Sequence, residues 1–135
     1  MKRNAHGTYN IKSALFEENI MVIEFFDQWN IETARECVEE CLSTARSRFP
    51  SQKWCSLVDY RHWGLCTPEV MEYFNEMVPQ FAQSHLTYQA VLPNNQIQSM
   101  IVDGYSEIVQ DTVTTKYFQS EQEALSWLRK KRENQ

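Results

Sequence analysis

After residue 20 this chain three times follows a short run of β-forming residues with an amphipathic helical segment and then with another β-forming run. Strands joined through a single helix pair in parallel, through crossovers that are right-handed in nearly every case. The pattern therefore predicts an open α/β sheet.

Thr8 to Phe16 and Ile20 to Phe26 flank Glu17-Glu18-Asn19, a polar link of hairpin length, and read as an antiparallel pair. Asn30 caps a helix in which Ile31, Ala34, Val38, Cys41, Leu42, Ala45 and Phe49 recur at helical spacing until Pro50. Trp54 to Tyr60 is the third strand, Arg61-His62-Trp63-Gly64 reads as a turn, and Thr67-Pro68-Glu69 opens a second helix carrying Met71, Phe74, Val78 and Phe81. Leu86 to Leu92 is a strand, Gln96 to about Ile108 a helix interrupted by Gly104, and Thr112 to Phe118 the last strand. Ser120 with Glu123 makes a capping box for a final helix, whose closing Arg129-Lys130-Lys131-Arg132 complements its carbonyl end. The sum is one domain over residues 1–135, with 1–6 and 131–135 as frayed tails. Its sheet has five strands and is mixed, the first antiparallel and the other four parallel.

Strand alternation places Met21, Ile23, Phe25, Cys55, Leu57, Leu86, Tyr88, Ala90 and Leu92 on one apolar face. The opposite face would mix Ile20, Val22, Phe26 and Trp54 with Glu24, Ser56 and Gln89, which predicts helices mainly on one side and a partly open second face. An open face makes Ile20, Val22, Phe26 and Trp54 an apolar patch, and a twofold homodimer would cover it.

Thirteen basic against eighteen acidic side chains give a net charge of −5, the wrong sign for binding nucleic acid. Three scattered glycines cannot build a phosphate-binding glycine loop. The start of the chain carries no secretory signal pattern and no apolar run is long enough to span a bilayer, so the expected location is the cytoplasm, with Cys37, Cys41, Cys55 and Cys66 as free thiols. Cys37 and Cys41 share the apolar stripe of the first helix without a histidine or second cysteine pair at zinc spacing, so neither metal nor cofactor is expected.

The order of elements from about Gly7 to Arg129 resembles the SpoIIAA-like branch of the STAS superfamily, the anti-sigma factor antagonists. Local echoes are Leu57-Val58-Asp59-Tyr60-Arg61 and Phe118 followed by Glu123-Ala124-Leu125-x-Trp127-Leu128. The resemblance implies a right-handed β-α superhelix of four turns preceded by an antiparallel strand, and a non-enzymatic binding or regulatory module. It also implies a phosphorylatable serine in an Asp-Ser-Ser-Gly-like run, where this chain has Asp59-Tyr60-Arg61-His62-Trp63-Gly64 and no serine. An outline similarity to lipid-binding Sec14-type domains supplies the alternative of a small carrier or sensor for an apolar, lipid-like ligand.

Ligands of open α/β sheets bind beyond the carboxyl ends of the strands. That edge collects Asp27 and Trp29 from the second strand and Asp59, Arg61, His62 and Trp63 from the third, an acid, cation, imidazole and indole set suited to a protein partner or a small apolar or anionic ligand. A further alternative is an enzyme using Asp59, His62 and Cys66, the last two standing four residues apart in the same loop.

Overall fold

In the computed structural model the described residues are 2–4 and 7–134, with side chains described for all of these except 2–4, 7 and 65. Lys2–Asn4 (β1), Gly7–Lys12 (β2), Ile20–Trp29 (β3), Trp54–Cys66 (β4), Leu86–Leu92 (β5) and Thr114–Tyr117 (β6) form one sheet in chain order. The helices are Ile31–Arg48 (α1), Pro68–Gln83 (α2), Gln96–Ile108 (α3) and Glu121–Glu133 (α4). β1 pairs antiparallel with β2 and β2 with β3, while β3 to β6 run parallel. The five expected strands are thus present, with the short β1 added within the segment read as a tail. Residues 1, 5, 6 and 135 of the two tails lie outside the described residues, and α4 continues to Glu133.

Three helices start at the caps read from the sequence, and α3 starts at Asn95, which was not assigned as one. Asn30, Thr67, Asn95 and Ser120 accept hydrogen bonds from the amides of Thr33, Val70, Gln98 and Glu123, satisfying one of the free donors at each helix start. α3 runs unbroken through Gly104. The link before β3 is a 3-10 turn, Phe16–Glu18, ended by Asn19 in the left-handed region at φ 60°.

With parallel strands in sequential order, right-handed crossovers must put α1, α2 and α3 on the same face. There they bury Val38, Leu42, Val70, Val78, Ile101 and Val102 against Met21, Ile23, Val58 and Val91. α4 follows the last strand and closes no crossover, so the handedness rule leaves it free to cover the other face. Ala124 and Leu128 pack there on Ile20, Val22, Leu57, Ala90 and Leu92. The helix is held at its far end by Arg129, which donates to both Glu18 oxygens at 2.9 and 3.1 Å, with Arg132 3.7 Å away.

Two expectations are corrected here. β3 and β4 are offset by one from the assumed phase, since Ile20 stands beside Cys55 and Val22 beside Leu57, and a one-residue offset exchanges every side chain between faces. Ile20, Val22 and Trp54 are therefore no open patch. The first two lie beneath α4, and Trp54 is on the opposite face, stacked on Phe49 at 5.6 Å with its indole N–H donated to the Ser84 carbonyl. Only Phe26 of the proposed interface keeps an open side, and the apolar argument for a dimer falls away. The second correction concerns Arg61 to Gly64, which is strand and not turn, because β4 stays paired with β3 as far as Trp29 and Cys66.

Candidate functional site

β3 and β4 outrun their neighbour. β5 makes its last pairing at Asp59 and Leu92, but β3 and β4 continue together to Trp29 and Cys66, flanked by β2 as far as Phe26, so a parallel ribbon extends past the end of β5 at the carboxyl edge of the sheet. Register shifts between Glu24 and Phe26 and between Asp27 and Trp29 increase its twist, and Asp27 takes the left-handed φ of 59°. Gly64 meets this bend. A Cβ there would lie 3.2 Å from Gln28 Cγ and 3.4 Å from the Asp27 carbonyl oxygen, a spacing that favours a residue without a side chain.

The inner face of the ribbon is an aromatic cluster. Phe25 stacks on Trp29 with centroids 4.2 Å apart and meets Trp63 edge-on at 5.1 Å, Tyr60 lies 4.8 Å from Trp63, and Phe74 of α2 closes the group. The Trp29 indole N–H donates to the Phe26 and Thr8 carbonyls, and Gln98 of α3 donates to the Trp63 carbonyl at 2.8 Å. The tryptophans assigned to a binding edge are thus buried supports of that edge. On the outer face the half-buried Phe26 and the exposed His62 stack at 5.9 Å with planes 9° apart, and Asp27 is exposed.

Asp59 and Arg61, two apart on β4, form an ion pair tighter than one in open solvent. Asp59 Oδ1 accepts from the Arg61 amide and from Nε, both at 3.0 Å, and Oδ2 accepts from Nη2 at 2.9 Å. The carboxylate is 3% exposed. Burial opposes its ionisation, but the Arg61 hydrogen bonds and charge outweigh burial and hold the Asp59 carboxyl below the usual carboxylate range. The same bonds raise Arg61 further above its already high value. Beside them Glu24 is paired with Lys12 at 3.3 Å and accepts from Asn10 at 3.1 Å, two partners on β2 that sequence reasoning did not assign.

The grouping of Asp59, His62 and Cys66 is not brought together. Four residues of strand separate His62 from Cys66 by roughly 13 Å. Burial also pushes the Cys66 thiol up to about 11, which disfavours the nucleophilic thiolate at neutral pH. Among the described residues no group of three or more His, Cys, Asp or Glu side chains could hold a metal ion.

A second feature was missed altogether. Between the sheet and α1, α2 and α3 lies a cavity of about 80 Å³, apolar apart from Ser56, Gln89 and the tyrosine hydroxyls. It is roughly half the size of a void that takes benzene, so it has no room for an acyl chain, and the lipid-like alternative finds no slot there. The available signal was the polar Ser56 and Gln89 in the middle of two central strands, which the sequence reading assigned to an open face.

A sequence family described as a domain of unknown function, DUF7793, matches residues 14–132. The chain belongs to this DUF7793 family. No curated protein matches it in sequence. Among solved structures, an uncharacterised DUF3478-family protein with a SpoIIAA-like fold from Shewanella loihica PV-4 superposes at a TM-score of 0.67 and 15% identity, over 95% of this chain and 98% of that one. The anti-sigma factor antagonist SpoIIAA in its unphosphorylated form follows at 0.62 and 7%, over 90% and 98%. An anti-sigma factor antagonist from Mycobacterium paratuberculosis gives 0.56 and 8%, over 96% and 99%. At such identities the agreement is one of fold, and this DUF7793 domain has the SpoIIAA-like fold. No helix among its described residues is long and apolar enough to cross a membrane.

Proposed function

We propose that this DUF7793 domain is a non-enzymatic regulatory binding module of the cytoplasm, and that a protein partner docks on the outer face of the β3–β4 ribbon. The observation that carries this reading is the ribbon itself, an extension beyond the end of β5 with buried aromatic supports on one side and the Phe26–His62 ring pair on the other. Arg61 and His62 both fall between the inward-facing Tyr60 and Trp63, which leaves both exposed on that outer side. A surface of this kind suits a partner offering an apolar side chain to the rings and an acid to the guanidinium, because aromatic rings and arginine dominate binding surfaces and the Arg61 guanidinium is already held in place by Asp59. The SpoIIAA-like fold supports a binding role in general, and four free thiols fit a reducing compartment.

The test is quantitative affinity capture from cells that make the protein, comparing the parent chain with Phe26→Asp, His62→Ala and, as a control on α3, Ile108→Ser. One partner retained by the parent and by Ile108→Ser but lost by Phe26→Asp and weakened at least tenfold by His62→Ala supports the ribbon. Equal recovery by all four chains refutes it.

A further inference from the structure

α2 and α3 each return from the carboxyl end of one parallel strand to the amino end of the next, so they run side by side in the same direction. Gly104 marks where they meet. A Cβ added there would lie 3.8 Å from Asn75 Oδ1, and both residues are exposed, so the seam between the helices opens on the surface. One turn earlier stand Met71 on α2 and Met100 on α3, and Ile97 lies one turn before Met100. These three are large apolar side chains left 40%, 65% and 57% exposed, a strip along the first turns of the seam.

Two further features belong to this strip. Packing gives no reason for a glycine at 104, since 3.8 Å is ordinary van der Waals contact and glycine is the poorest helix former after proline. What the missing side chain does is deepen the seam, so that another chain can approach the helix closely. The charge there also has one sign. α2 exposes Glu69, Glu72 and Glu76, α3 exposes Asp103 and Glu107, and neither helix carries a Lys, Arg or His. Asp103 accepts from the Tyr117 hydroxyl, a neutral group that leaves its charge standing, and among the described residues no ion pair takes up any of the five carboxylates.

We propose that the seam between α2 and α3 is a docking groove for a basic amphipathic helix of a partner protein. Its apolar stripe would lie on Met71, Ile97 and Met100, with Lys and Arg on its flanks facing the carboxylates. The 13 residues of α3 make the groove about 20 Å long, three to four turns of a third helix laid between two others. Methionine suits such a groove because its flexible thioether adapts to the side chains it meets. The unrelieved negative charge selects a cationic occupant and repels an anionic lipid surface or a nucleic acid. This groove lies across the sheet from the outer face of the ribbon, so the two surfaces are independent.

The experiment is fluorescence anisotropy of a labelled, end-blocked helix of about fourteen leucine and lysine residues, its leucines spaced i, i+3, i+4 and i+7. It is titrated with the full chain at about 150 mM salt, where charges beyond about 8 Å are screened, and placed by amide NMR. One control peptide scrambles the same residues and a second replaces every lysine with glutamate. The expected result is micromolar binding with shifts concentrated in residues 68–76 and 96–107, and at least tenfold weaker binding of both controls. Met71→Gln with Met100→Gln, which are exposed and keep the charge, should cost at least tenfold. Glu72→Gln with Glu107→Gln should weaken binding at least threefold and flatten its salt dependence, while Phe26→Asp on the ribbon should bind as the parent does. Equal binding of the scrambled peptide, shifts spread over other acidic surfaces, or full affinity of the methionine double variant would each overturn the proposal. Shifts at the same residues on concentrating the chain alone would also overturn it, because the occupant would then be a second copy.

Discussion

Replacing Arg61 with alanine removes two of the three hydrogen bonds on the Asp59 carboxylate and leaves the third, from the residue 61 amide. Asp59 is 3% exposed with the Arg61 side chain in place, so water replaces the lost bonds only as far as the truncated side chain lets it reach the carboxylate. An orphaned buried acceptor costs about 1 to 3 kcal/mol, more when charged. The Arg61 side chain is 39% exposed, and screening of its charge discounts the Coulombic share, so the total stays within that range at neutral pH. The pH dependence carries the sharper sign. In the parent, burial raises the Asp59 value but the Arg61 bonds and charge win and lower it, so the pair's stabilisation is complete above the ordinary carboxylate value and is lost as pH falls through the lowered one. In Arg61→Ala, burial, the largest influence, is opposed only by the backbone amide and the His62 charge, so the Asp59 value rises and the folded state binds its proton more readily than the unfolded chain does. The gap between parent and variant is then largest near pH 7 and narrows on acidification toward pH 4. Urea denaturation followed by tryptophan fluorescence at pH 4, 5.5 and 7 measures this, and in an Asp59→Asn background the same arginine substitution should cost little. A loss below about 0.5 kcal/mol at pH 7, the scale of an ordinary surface change, or a loss independent of pH refutes the buried-pair reasoning.

Leu128 is fully buried between α4 and the sheet, so Leu128→Ala should destabilise by about 2 to 5 kcal/mol in the same denaturation assay, and a loss under about 1 kcal/mol would mean that α4 does not seal this face. Burial lifts the Cys66 thiol to about 11, so its alkylation should be slow at pH 7.5 and keep accelerating with pH through that value, whereas a plateau below pH 9 would show an ordinary or activated thiol.

The sequence by itself determined the alternation of strands and helices and the caps at Asn30, Thr67 and Ser120, with Asn95 a fourth that the same local signal could have given, because those signals are local. Asn30, Thr67, Asn95 and Ser120 act within three residues of the amides they satisfy, and helical periodicity is written within each segment. The sequence also put Asp59 beside Arg61, since two residues along a strand share a face. The phase of one strand against the next was decided elsewhere. Ile20 pairing with Cys55 instead of its neighbour depends on hydrogen bonds between segments 35 residues apart, and alternation within a strand is indifferent to that offset. The same holds for the ribbon, where Arg61-His62-Trp63-Gly64 looks like a turn until β3 pairs with it and the aromatic cluster pins its inner face. Which side α4 covers was equally unwritten, because amphipathicity names the buried stripe of a helix and not the surface that buries it, and no crossover binds the last helix to a side. The open face and its dimer patch vanished with that choice. Ser56 and Gln89 came to line an apolar pocket for the same reason, beneath three helices whose placement only the crossovers of the folded sheet could decide.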